Sequence, residues 1–99
     1  MKKYLKTAEY EMFSNLALII EDDISFDQIS INICGLPVGH VAIDDINYPW
    51  AIKFLTDNGF AINSGEKAKS DLGCYPVITV TDKLQDIQDV TDSVSQYFN

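Results

Sequence analysis

The chain has no arginine, one histidine, two cysteines and three prolines in 99 residues. Each scarcity removes a class of function. Arginine offers the planar fork best suited to phosphates, and neutralising phosphates supplies nearly all non-specific nucleic-acid affinity. With seven lysines against fifteen carboxylates and a net charge of -8, the chain is poorly equipped to bind DNA or RNA directly. The same excess opposes docking on an anionic membrane. Cys34 and Cys74 lack CxxC spacing, and one histidine cannot complete a zinc site with them, so neither a metal nor a disulfide framework is expected. Two reduced thiols in a cytoplasmic protein without cofactors is the plain reading. No apolar run approaches the roughly 18 residues of a membrane span. Leu16 to Ile20 is cut short by Glu21, Asp22 and Asp23, so the Met1-Lys2-Lys3 start does not read as a signal peptide.

What remains is ordinary globular composition, 46% hydrophobic and 22% charged, enough for one domain over residues 1–99 with a modest core. The charge is unevenly placed. Lys2, Lys3 and Lys6 open the chain, after which residues 7–52 contain no lysine but hold Glu9, Glu11, Glu21, Asp22, Asp23, Asp27, Asp44 and Asp45. Residues 53–83 balance, and Asp86, Asp89 and Asp92 make the last segment anionic again.

Hydrophobic periodicity supplies the elements. Ala8, Met12, Phe13, Leu16, Ile19 and Ile20 recur at three- and four-residue spacing, which predicts an amphipathic helix from Thr7, its cap, to Glu21. Ile29, Ile31 and Ile33 alternate with polar residues, Gly35 to Gly39 supplies turn chemistry, and His40 to Ile43 resumes the alternation: a β-hairpin. A second helix starts near Pro49, buries Trp50, Ala51, Phe54 and Leu55, and stops at Asn58-Gly59. Phe60 to Asn63 reads as a short strand, Ser64 to Gly73 as a polar loop, and Tyr75 to Thr81 as a buried strand. Leu84, Ile87, Val90, Thr91, Val94, Tyr97 and Phe98 form one stripe, with Asp86, Asp89 and Asp92 opposite, which predicts a closing helix. The order α-β-β-α-β-β-α implies a two-layer α+β domain, a four-stranded and mostly antiparallel sheet under three helices.

Reactive motifs are weak. Cys34 and His40 sit on opposite arms of the hairpin and invite a thiolate–base reading, yet a lone histidine and a strand cysteine are better explained as a surface histidine and a packed cysteine. Ser64 to Ser70 resembles a phosphate loop in composition only, since Glu66 stands where a lysine must follow the glycine. Glu21, Asp22, Asp23 and Asp27 lack the alternation and central glycine of a calcium loop. No catalytic constellation emerges, and the chain reads as a non-enzyme.

The acidic segments are the stronger feature. Asp22, Asp23, Asp27, Asp44 and Asp45 flank the hairpin, Asp86 and Asp89 lie in the last segment, and Tyr48 and Trp50 follow Asp44-Asp45 as residue types favoured in interface anchors. Together these nine form the expected partner-binding set. If they converge, they steer the protein toward a basic surface. The first expectation is a small inhibitor that masks the basic face of a nuclease or nucleic-acid-binding complex, a nucleic-acid mimic sharing only its composition with toxin-immunity and phage counter-defence proteins. The alternative is a regulatory or assembly module, forming a homodimer or hetero-oligomer, with acidity incidental. If the acids form a binding patch, reversing Asp44 and Asp45 to lysine is expected to abolish binding to a basic partner while leaving thermal stability nearly intact.

Overall fold

Ile29 is where the chain changes layers. In the computed structural model, which describes residues 1–97, strand β3 (Phe26–Gln28) pairs with β2 (Leu16–Glu21), and β4 (Ser30–Ile31), one residue further on, pairs with β5 (His40–Ile43). The Ile29 N–H donates to the Leu18 carbonyl at 3.0 Å, and its own carbonyl accepts the Asp44 N–H at 2.9 Å. One fully buried residue thus belongs to both ladders, a corner strand of the kind that joins two packed sheets.

Two antiparallel four-stranded sheets result. The first has the order β3-β2-β1-β8, with β1 (Tyr4–Glu9) central and β8 (Ile87–Asp89) at its edge; the second has the order β4-β5-β7-β6, with β6 (Ala61–Ser70) and β7 (Gly73–Val80). Helix α1 (Ala51–Asp57) joins β5 to β6, and α2 (Thr91–Ser95) follows β8. A single core cluster unites both sheets and both helices: Leu5, Leu18, Ile43 and Ile78 meet Phe54 and Val94, all fully buried. Tertiary packing holds α1, because seven residues are too few for an isolated helix.

The α+β class and the antiparallel pairing are as expected, but there are two helices rather than three and two sheets rather than one. The residue 29–43 hairpin, the helix ending at Asn58-Gly59 and the buried strand within 75–81 are present, with Gly59 at φ 76° closing α1. Three expectations fail. The expected helix from Thr7 to Glu21 is the β1–β2 hairpin, in register from Tyr4 opposite Glu21 to Glu9 opposite Leu16. Its apolar residues from Ala17 to Ile20 are consecutive because β2 is buried on both faces, and such a run mimics helical spacing. The expected loop over 64–73 is mostly strand. β6 continues to Ser70 through an irregularity between Asn63 and Lys67, and it is polar because it is an exposed edge strand guarded by lysines. The closing helix breaks after Thr81: Leu84 lies in a turn, Ile87 to Asp89 pair with β1, and only Thr91–Ser95 is helical. Phe98 lies outside the described residues.

At the corner, the regular ladder is replaced by a side chain. The Leu18 N–H donates to Ser30 Oγ at 3.0 Å, and the same hydroxyl lies 2.8 Å from the Tyr10 hydroxyl. Ser30 is 1% exposed, so removing its oxygen strands a buried amide. Ser30→Ala is expected to lower the unfolding free energy by about 1–3 kcal/mol in urea titrations. Tyr10→Phe, which leaves the Leu18–Ser30 bond in place, is expected to cost less. Equal losses in the two variants would refute the role assigned to Ser30.

Candidate functional site

The folded positions of the nine expected partner-binding residues divide them. Tyr48 is the meeting point for one group. Its hydroxyl donates to Asp27 Oδ1 at 3.4 Å, and burial, then the charge of Asp27 and that of Asp44, holds its phenol above the ordinary tyrosine range. Asp27 on β3 thus reaches the Tyr48 hydroxyl, while Asp44, after β5 in the other sheet, accepts the Tyr48 N–H with its backbone carbonyl at 2.9 Å. The corner at Ile29 brings them together. Tyr48 packs edge-on to Trp50 at 6.1 Å between ring centroids, and Trp50 in turn packs edge-on to the buried Phe54 at 6.1 Å. Both outer rings are half-buried against the core, so they present rigid aromatic surface at little entropic cost.

Asp86 and Asp89 lie elsewhere. They sit at the β8 edge, separated from β3 by β1 and β2, which at strand spacing is roughly 14 Å. Asp86 accepts the Thr7 hydroxyl at 3.0 Å, and Asp89 accepts the Thr91 hydroxyl at 2.6 Å and the Thr91 N–H at 2.9 Å, closing the turn into α2.

The N-terminal lysines also change meaning in the fold. Strand β1 lies between the two anionic segments, and Lys3 pairs with Asp22 at 2.7 Å, Lys2 with Asp89 at 3.2 Å, and Lys6 with Glu21. None of the four ion pairs among the described residues involves Asp27, Asp44 or Asp45. These three acids at the corner therefore have no lysine partner in those pairs, as is also true of Glu9 at the far end.

Several of the acids build structure. Asp22 Oδ1 accepts the N–H groups of Ile24 and Ser25 at 2.9 and 2.8 Å, tying the β2–β3 turn. Asp44, only 7% exposed, accepts the Asn47 N–H at 3.1 Å and the Asn47 side-chain amide at 2.8 Å. Asp23 is exposed at the turn tip and Asp45 is half-exposed. Asp23, Asp27, Asp45 and Tyr48 all keep some exposure, and Trp50 is half-buried beside Tyr48. Reversing Asp44 removes two hydrogen bonds at a buried site, so the expectation that its reversal spares stability is withdrawn.

Cys34 and Cys74 are free and exposed. The Nδ1 atom of His40 lies 3.3 Å from the Val38 carbonyl oxygen, within its own turn. Among the described residues, no group of three histidine, cysteine or acidic side chains is arranged to hold a metal, and no helix is long and apolar enough to cross a membrane. A feature that periodicity missed is a cleft of about 470 Å³ at the opposite end, between the β1–β2 turn and the Gly35–Gly39 turn. Its signal was obscured because Phe13 and Leu16 were assigned to a helix.

Comparisons with protein-family models, curated proteins and solved structures return no match. The residues alone therefore carry the functional argument.

The ion pairs make stability depend on acid. The Lys3 ammonium, followed by the N–H of Ile24 and the Ser25 hydroxyl, holds Asp22 far below the usual carboxylate range. The Thr91 hydroxyl and N–H, with Lys2, hold Asp89 down to about 2. Both groups bind protons more weakly in the folded chain than in the unfolded one, where aspartate titrates near 3.9. Their contribution is present above that value and is lost as pH falls through the folded pKa values. Melting temperature is thus expected to fall from about pH 5 to pH 2, with a shallower fall in Asp22→Asn. An unchanged slope in that variant would show that Asp22 carries none of the acid sensitivity.

Proposed function

We propose that the chain is a small acidic binding protein that inhibits a partner by covering a basic, nucleic-acid-binding surface. The observation that supports this best is the meeting of Asp27 and Asp44, from different sheets, at Tyr48, the first at its hydroxyl and the second at its backbone N–H. It places anionic groups beside an aromatic pair, and among the described residues no ion pair joins a lysine to Asp27, Asp44 or Asp45. Carboxylates steer a basic surface into contact and penalise wrong partners, while Tyr48 and Trp50 supply apolar area that survives desolvation. A surface evolved to hold phosphates is complementary to such a face. In this reading the inhibitor acts by occupancy and needs no chemistry of its own.

A second reading, self-assembly, is favoured by Phe26 and Ile87, which are 62% and 58% exposed. Register puts both on the outer face of the first sheet, Phe26 opposite Glu21 and Ile87 opposite Lys6. The Lys6–Glu21 pair lies between them, and desolvating that pair opposes close packing of two copies.

The test uses Asp23→Lys with Asp45→Lys, leaving Asp44 in place. Wild-type protein is expected to retain a basic partner from host extract and to block its binding to nucleic acid. The double variant is expected to bind that partner about tenfold more weakly or worse, equivalent to about 1.4 kcal/mol, while its stability changes by no more than about 0.5 kcal/mol per site. Unchanged partner binding by the variant overturns the proposal. So does a salt-insensitive homodimer in sedimentation that buries this face, which would favour the assembly reading.

A further inference from the structure

We propose that the cleft at the other end of the molecule is an anchor pocket for a guanidinium or ammonium group on an apolar stem, supplied by an arginine or lysine side chain of a partner protein. Strands β2 and β5 show how separate it is from the acidic face. Both begin at the cleft, with Leu16 and His40 in its wall, and both end at the acidic end, beside Asp22 and Asp44. Six residues of strand place the two sites roughly 17 Å apart or more. The proposal extends the reading of the chain as a cover for a basic protein, and it needs only the cleft.

Three observations point to this occupant. First, the walls of this open cleft are largely apolar. Phe13, Leu16, Leu36, Val38 and Val80 line it, and a volume of about 470 Å³ admits one long side chain. Second, its strongest polar functions accept hydrogen. Glu9 is the one acidic side chain in the lining, and no lysine is among the lining residues. The His40 Nδ1 lies 3.3 Å from the Val38 carbonyl oxygen, and in the neutral ring that donates to it Nε2 is an acceptor. An anion finds no lysine in this wall, whereas an N–H-bearing cation finds the Glu9 carboxylate and the Phe13 ring, whose face attracts cations.

Third, the wall is held in place against backbone strain. Phe13 and Ser14 have φ values of 72° and 53°, the left-handed region that primed hairpin turns reserve for Asn-Gly. Two side-chain amides secure this turn to the β4 segment: Asn32 Nδ2 donates to the Met12 carbonyl at 2.9 Å, and Asn15 Nδ2 donates to the Ile33 carbonyl at 2.7 Å. A phenylalanine kept 51% exposed in such a conformation packs little of its ring into the core, and strain of this kind concentrates at binding sites. The position serves the cleft, which Phe13 lines.

The test titrates two probes into the intact protein and follows backbone and side-chain NMR signals of Phe13, Val38 and His40. They are n-butylguanidinium and an end-blocked Ala-Arg-Ala tripeptide, with n-pentanol as the neutral control. Both cationic probes are expected to shift these signals saturably, with a Kd on the order of millimolar for so few atoms, and pentanol to bind more weakly. Glu9→Gln, at an exposed strand end, is expected to weaken the cationic probes by about fivefold or more and leave pentanol unchanged. Equal binding of butylguanidinium to Glu9→Gln, or pentanol matching it, would overturn the cation assignment. Binding of butylguanidinium without the tripeptide would overturn the assignment to a protein side chain. The Asp23 and Asp45 double reversal leaves the cleft intact, so failure of the acidic face and failure of the pocket are read separately.

Discussion

The sheet switch at Ile29 is the constraint on which the rest of the molecule depends. A strand that leaves one ladder and enters another must satisfy its backbone groups through the corner, because a buried orphan amide costs as much as a lost hydrogen bond or more. Ile29 does so in both directions, to Leu18 and to Asp44, and the Ser30 hydroxyl takes the amide that the broken ladder would otherwise leave unpaired. The sheets then close over the cluster that includes Leu5, Leu18, Ile43 and Ile78. Asp27 lies two residues before the corner and Asp44 is bonded to it, so the same switch that closes the core draws acids from separate sheets to Tyr48.

Charge in this protein is consequently sorted by the fold. Lys2 and Lys3, just before β1, pair with Asp89 and Asp22 at the strands to either side, and Lys6 on β1 pairs with Glu21. Asp22, Asp44 and Asp89 spend their oxygens on turns. What is left for a partner is smaller than the fifteen acids of the composition but more localised, and it is backed by an edge-to-face aromatic series reaching from Tyr48 through Trp50 to Phe54. Trp50 serves as both core and potential anchor. The cleft at the far end is built on different principles, with largely apolar walls beside one carboxylate, Glu9.

The parts legible in the sequence were those carrying local chemistry. Asn58-Gly59 stops α1, with Gly59 in the left-handed region, and the alternation around Ile29 to Ile43 specifies a hairpin without reference to the rest of the chain. Illegible elements were set by tertiary context. The β1–β2 turn uses Phe13-Ser14 where Asn-Gly would announce a hairpin, and β2 is buried on both faces, so neither turn residue nor alternation marked it. β8 is three residues long and exists because β1 offers a free edge. Residue type singles out Asp27, Tyr48 and Trp50, which the fold brings next to one another, but no spacing rule separates Asp45, half-exposed, from Asp44, buried and tied to Asn47. The partners of Lys2 and Lys3 lie 87 and 19 residues away, which is why a basic start looked separable from the acidic segments.

Amide hydrogen exchange at Leu18, Ile29 and Asp44 tests the central claim most directly, since their three N–H groups are the bonds of the corner. If the sheet switch organises the molecule, all three exchange only through global unfolding, with protection that falls with denaturant at the same slope as the core amide of Ile78. Exchange of Leu18 and Ile29 through a denaturant-independent local opening, while Ile78 stays protected, would contradict it and leave two sheets that fold without their corner.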